Sequence, residues 1–251
     1  MAQTIPTIWN ALLIAFQGLA PPLIVAALWY AVTHSAIPAA RQVRVFALSS
    51  GIAVVWFLGA LALSLTGIFA TGPAELPVIQ YAIVTPIVLA LLLLLGTASG
   101  RAVVTALPLE WLIAAQVYRC LGAVFLVLYA LGELPGQFGV PAGVGDIIIG
   151  AAAPIVAVLY ARHWRAAGPV ARWWNYFGIF DLVIAVSTGF LTSPSVLQAL
   201  AFDRPNELIT AYPLAMVPAF LVPLSIVLHV ICLWKLGRVS SDARTPVPAL
   251  P

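Results

Sequence analysis

The chain has 251 residues, of which 63% are apolar and only 8% are charged, with a net charge of +3; an ordinary soluble domain is roughly 25% charged. Eight acidic and eleven basic side chains cannot clothe the surface of a water-soluble protein of this size. The composition therefore excludes a soluble globular enzyme, a disordered chain and a disulfide scaffold, and leaves a polytopic membrane protein whose solvent is mostly lipid. The basic residues fall in short loops, so the charge is no nucleic-acid footprint and no nucleic-acid partner is expected. Cys120 and Cys232 lie inside apolar stretches and say nothing about redox compartment.

Apolar stretches long enough to cross about 30 Å of hydrocarbon occur seven times, at about 9–33, 43–69, 78–97, 109–131, 142–161, 172–192 and 212–236. Aromatic residues near their ends, such as Trp9, Trp29, Trp111, Trp173 and Trp234, suit the headgroup level. Arg41 and Arg44 follow the first stretch, Arg101 the third, Arg162 and Arg165 the fifth, and Lys235 and Arg238 the seventh, whereas the alternate loops hold Glu75, Glu133, Asp203, Arg204 and Glu207. By the positive-inside rule the N-terminus is outside and the C-terminus cytoplasmic. The expected fold class is an all-α integral membrane protein with seven transmembrane helices in one domain over 1–237. An Arg-rich, nearly Lys-free composition points to a bacterial cytoplasmic membrane. The segment 238–251 is expected to be a disordered tail, and the loop between the sixth and seventh stretches to hold a short interfacial helix around Val196–Phe202.

The chain resembles itself at an offset of about 131 residues. The segment from Pro21 to Ala31 matches that from Ala153 to Ala161. The loops that follow carry Pro38–Arg41 and Pro169–Arg172, and Pro73–Tyr81 matches Pro205–Tyr212. Stretches 1–3 (repeat A, about 9–97) would then correspond to stretches 5–7 (repeat B, about 142–236), with the fourth as linker. An odd linker leaves both halves in the same orientation, and parallel repeats of this kind in carriers place a binding site between the halves near the midplane. The three-plus-one-plus-three topology resembles that of the SWEET and PQ-loop carriers. Their Pro-Gln pair is absent here, and no residue role is carried over. A seven-span chain of this length is also similar to the microbial rhodopsins, but the single lysine, Lys235, stands at the end of the last stretch rather than in its middle.

Ionisable residues inside hydrocarbon cost about 2.5–3.5 kcal/mol by insertion scales and normally face a partner or cavity. At 1.5 Å per residue, Arg119 lies about 18 Å and Asp181 about 16 Å from the outer edge, so the two are expected to pair. Asp146 is expected only about 6 Å inside that edge, and Asn175 and His229 about 5–10 Å from the inner one. At the repeat offset Asp146 faces Ile14, Asp181 faces Ser50 and His229 faces Ala98, so the chemistry is concentrated in stretches 4–7. Pro22, Pro86, Pro154, Pro218 and Pro223 lie within stretches, where they free backbone carbonyls to kink helices or line a cavity.

Gly143-Val144-Gly145-Asp146 resembles the GxGD motif of the presenilin-type intramembrane aspartyl proteases, in which two carboxylates activate water. The second candidate, Asp181, comes after the motif here and before it in that family. The plain reading is a PAGVG turn that opens the fifth helix. No Cys/His or carboxylate cluster has metal-ligand spacing, and no metal or other cofactor is expected. The sequence thus favours binding or transport of a small solute, with protons as the candidate coupling ion, between two three-helix repeats. Arg119 and Asp181 would form the switch, Asn175 and His229 an inner gate and Asp146 an outer one; the plainer alternative is that Arg119–Asp181 is a structural pair fixing stretch 4 against stretch 6. The alternatives are an intramembrane enzyme acting on a lipid, isoprenoid or peptide through Asp146 and Asp181, and a sensor or accessory subunit with a membrane partner or a second copy.

Overall fold

A computed structural model describes residues 5–242. Among them the regular structure is entirely helical, and seven helices are long and apolar enough to cross a membrane. These are span 1 (Thr7–Thr33), span 2 (Ala39–Leu65), span 3 (Ile79–Gly96), span 4 (Leu109–Ala130), span 5 (Gly136–Ala161), span 6 (Ala167–Thr192) and span 7 (Val217–Arg238). Apolar residues all round let each helix satisfy its own backbone, as hydrocarbon requires. Proline marks where four of them begin: Pro6, Pro38, Pro108 and Pro135 are the N-cap residues of spans 1, 2, 4 and 5. Its ring fixes φ, and the N–H it lacks would have had no partner there. Span 4 ends in a Schellman turn, with Glu133 N–H on Leu128 O at 2.8 Å and Gly132 N–H on Tyr129 O at 2.9 Å. Gly132 takes the left-handed backbone (φ 73°) that this cap requires.

Three sequence expectations are revised. Span 5 starts at Gly136, so the PAGVG segment lies inside the helix and not in a turn. The segment Val196–Phe202 is not helical. Its backbone instead pairs across the fold, with Val196 N–H on Glu75 O and both Ala199 and Leu200 N–H on Leu191 O, which ties this loop to the one before span 3. The last helix runs on to Asp242, into the expected tail; 243–251 lie outside the described residues. One element was not expected: a short helix, Ala98–Ala106, N-capped by the Thr97 side chain on Gly100 N–H. Lys235 Nζ caps its far end, donating to Val104 O (2.8 Å), Thr105 O (2.9 Å) and Leu107 O.

The spans are not equivalent. Span 7 is more than half buried and spans 4 and 5 about two-fifths, whereas spans 1, 2 and 3 bury under a fifth. Span 5 packs against spans 4 and 6, and span 7 against spans 3, 4 and 6, while span 1 leans on span 2 and on the 98–106 helix. The two interior spans that meet, 4 and 7, are also the irregular ones. Ala115–Gly122 in span 4 forms a 3₁₀ segment of eight residues, well beyond the three or four usual for that geometry. Span 7 opens with a π-helical turn, Val217–Leu221, that contains Pro218.

Candidate functional site: a buried arginine with two carboxylates

Arg119 sits in the 3₁₀ segment, about 15 Å along span 4, with its side chain 2% exposed. A 3₁₀ turn has three residues where an α turn has 3.6, so side chains at i and i+3 line up. Gln116 and Arg119 are such a pair, and both are buried. The guanidinium finds four partners. Nε–H donates to Asp146 Oδ1 at 2.7 Å, and Nη2 donates to Asp181 Oδ2. Nη1 donates to Gly178 O at 3.2 Å and approaches His229 Nε2 at 3.3 Å.

Nε and Nη2 lie on one edge of the planar guanidinium, so both carboxylates share that edge and are neighbours. Each keeps one oxygen without a hydrogen bond among the described residues, and each side chain stays partly open, Asp146 at 15% and Asp181 at 14%. Close packing brings them there. A Cβ on Gly145 would land on the Asp181 carboxylate, and one on Gly122 would land on Asp146. Only glycine at these two positions lets the acids reach Arg119.

The other side of Arg119 continues as a directed chain. Asn175 Nδ2 donates to Ala171 O at 2.7 Å, which leaves Asn175 Oδ1 as acceptor for His229 Nδ1 at 2.8 Å. His229 therefore carries its proton on Nδ1 and turns the Nε2 lone pair to Arg119, an assignment made from partners that can only donate or only accept. Asn175 and His229 are both fully enclosed. The approach of spans 6 and 7 depends on Gly178, where a Cβ would meet the imidazole ring.

Span 4 is pinned to span 7 where both are irregular. Gln116 Nε2 donates to Ser225 O (3.1 Å) and Gln116 Oε1 accepts from Ser225 Oγ (3.0 Å), while the Tyr118 hydroxyl bonds Leu221 O at 3.0 Å and also Ser225 Oγ. Gln116, Tyr118 and Ser225 were missed at the level of sequence. The available signal was two uncharged polar residues within three positions of a buried arginine.

Two openings meet the carboxylate pair. One is a cavity of about 80 Å³, enough for several waters or a small polar group. It runs from Thr71, Pro77 and Thr210 in the loops down to Arg119, Asp146 and Tyr118, and apart from Ser193 and Ser225 it is otherwise walled by apolar residues and glycines of spans 1 and 3–7. The other is a groove between spans 5 and 6 that contains Asp181 and is walled by Gly145, Ile148, Trp174, Phe177 and Phe180.

The expected partners Arg119 and Asp181 are thus together, joined by His229 and Asn175. The structure moves Asp146 from its expected place near the outer edge. It stands ten residues into span 5, about 15 Å deep, because that helix starts earlier than the Gly- and Pro-containing segment suggested. Of the prolines named as kink or cavity residues, Pro218 lines the cavity. Pro22, Pro86 and Pro154 lie inside helices and Pro223 follows the π-turn, all four away from both openings. No group of His, Cys, Asp and Glu among the described residues is arranged to hold a metal ion.

The fold and site define a class: an all-helical protein of seven membrane-length apolar helices with a charge cluster buried at mid-depth. The chain belongs to the family described as a domain of unknown function, DUF8737, whose profile matches residues 76–237. The match takes in spans 3–7 and with them every member of the charge cluster. No curated protein and no solved structure gives a significant match.

Proposed function

We propose that the chain is a carrier, or solute-binding protein, of the bacterial cytoplasmic membrane that takes a small solute in the cavity above Arg119 and Asp146 and exchanges it against a proton. The observation that carries this reading is a cavity that ends on Asp146, one of two carboxylates that share one edge of the Arg119 guanidinium. Two carboxylates against one arginine leave one negative charge in excess. At mid-depth such a charge is costly, and a proton shared between neighbouring carboxyls is the simplest way to neutralise it. The eight-residue 3₁₀ segment supplies a hinge, since an irregular turn in mid-helix is where a span can rewind. The loop charges support an N-out, C-in orientation. The sequence matches between spans 1–3 and 5–7 support two parallel repeats with span 4 as linker, and cavity walls drawn from both halves fit a site between them. In this arrangement Arg119 and Asp181 act as the switch, His229 and Asn175 as the inner gate, and Asp146 as the group that meets solute.

The test is proton flux in proteoliposomes that hold a trapped pH dye, with neutral, anionic and cationic solutes offered in turn. One solute class is expected to support proton movement, and Asp146→Asn to abolish it. Flux that no solute supports, together with a stoichiometric bound cofactor or second protein in a native mass spectrum, would overturn the carrier and favour a sensor or subunit. The closeness of Asp146 and Asp181 favours a second reading, an intramembrane hydrolase acting on a lipid or peptide. It predicts that Asp146→Asn keeps ligand binding and loses turnover.

A further inference from the structure

The two carboxylates differ in what they face. Asp146 lines the cavity inside the bundle, whereas Asp181 lines the groove between spans 5 and 6. That groove is open on the surface turned away from the other spans: Ile148, Phe177 and Phe180 on its walls are 60%, 60% and 62% exposed. Asp181 stands eleven residues from the end of span 6, about 16 Å, so a molecule reaches it through hydrocarbon. Its Oδ2 is held by Arg119, and its Oδ1 lies over Gly145 without a hydrogen bond among the described residues. The groove offers about 480 Å³ of space, open along its lipid side.

Three features fix the chemistry of the occupant. It must dissolve in the bilayer, because the groove opens to lipid. It should carry positive charge, because the cluster has two carboxylates and one guanidinium. It gains further from the aromatic residues Trp174, Phe177 and Phe180 that line the groove, since aromatic rings attract cations most strongly where water is absent. We infer that the groove between spans 5 and 6 is a lateral binding site for a lipophilic organic cation, held by Asp181 and the three aromatic rings. This inference goes beyond the carrier reading, whose solute cavity lies on the Asp146 side: here the cation offsets the excess charge of the carboxylate pair from the Asp181 side. The glycine at 145 gains a role here as well, since any larger side chain would displace the Asp181 carboxylate that the cation meets.

The probe is tetraphenylphosphonium, measured by equilibrium dialysis against the full-length protein in nanodiscs, with empty nanodiscs as background. One saturable site per chain is expected. Asp181→Asn should weaken binding at least tenfold. That variant removes a partner of Arg119 and could disturb the fold, so a second variant decides. Ile148→Trp fills the groove from a lipid-facing position and removes no hydrogen bond or ion pair of the charge cluster, and it should also abolish the site. Val158→Trp, elsewhere on span 5 and about half exposed, should leave it intact. Absence of saturable binding, or binding that survives Ile148→Trp, overturns the inference. Proton flux supported by some other solute would then leave the carrier standing, while cation binding with no flux for any solute would keep the site and remove the carrier.

Discussion

Spans 1–3 and spans 5–7, the two halves of the proposed repeat, live in different environments. The first set buries under a fifth of its residues; span 7 buries more than half, and span 5 about two-fifths. Ser50 and Asp181 hold corresponding positions in the proposed repeat. Asp181 is held by Arg119, whereas the Ser50 hydroxyl is buried with no partner among the described residues. The glycines tell the same story. A Cβ on Gly18, Gly51 or Gly59 in spans 1 and 2 meets nothing within 4 Å, whereas a Cβ on Gly145, Gly150 or Gly178 in spans 5 and 6 collides with a neighbour. In lipid, apolar surface gives no preference for protein over solvent, so helices associate through close packing and polar contacts. Spans 4–7 have those contacts, and spans 1 and 2 largely lack them.

The largest effect that would break this contrast is at Arg119. Arg119→Leu leaves two carboxylates in a low-dielectric site without their cation, a change that costs about 3–5 kcal/mol when one partner of a buried pair is lost. The purified protein is expected to aggregate far below the wild-type melting temperature, and adding Asp146→Asn and Asp181→Asn should restore much of the loss. If Arg119→Leu alone melts like the wild type, the cluster is not what holds spans 4–7 together.

Glycine substitutions sharpen the comparison next. At Gly150 a Cβ would come within 2.6 Å of the Cys120 backbone nitrogen and 2.9 Å of its sulfur, so Gly150→Ala forces spans 4 and 5 apart and should cost about 1–3 kcal/mol. Gly51→Ala, in open space, should instead gain a few tenths to about 1 kcal/mol from helix propensity. Thermal unfolding of both variants in one detergent checks the opposite signs.

A smaller loss is expected at the pin between the irregular turns. Tyr118→Phe removes the hydroxyl that bonds Leu221 O and Ser225, and hydrogen bonds between membrane helices average about 0.6 kcal/mol, with a maximum near 1.7. Hydrogen exchange should show the π-turn of span 7 opening faster in this variant while the far end of the helix is unaffected. The least effect belongs to Ser50→Ala, whose unpartnered hydroxyl predicts a change within about 0.5 kcal/mol. A loss above 1 kcal/mol there would mean that span 2 carries a polar contact as span 1 does at Gln17, which donates to Pro213 O.

The number of membrane-length helices followed from the sequence because 30 Å of hydrocarbon demands a continuous apolar run, and seven such runs are present. The meeting of Arg119 with Asp181 was legible too, from opposite charge at equal depth. Asp146 was not, because glycines and Pro141 read as a turn under the rules of water-soluble chains. In lipid an unwound backbone has no water to bind, so the helix runs through that segment and carries Asp146 about 9 Å, under two turns, deeper than expected. The short 98–106 helix escaped for the opposite reason: it lies between spans, carries Arg101, and is fixed by contacts such as Lys235 on its terminal carbonyls, which no local pattern announces.

Length, hydropathy and the few charges were enough to determine the class of this protein, since each span satisfies its own backbone and needs only its own residues to form. Tertiary structure alone decided which spans lie inside, which edge of Arg119 each carboxylate takes, and that one acid faces an inner cavity while the other faces lipid. Those outcomes depend on close approaches at Gly122, Gly145 and Gly178 between segments far apart in the chain, where the absence of a single Cβ sets the distance between two helices.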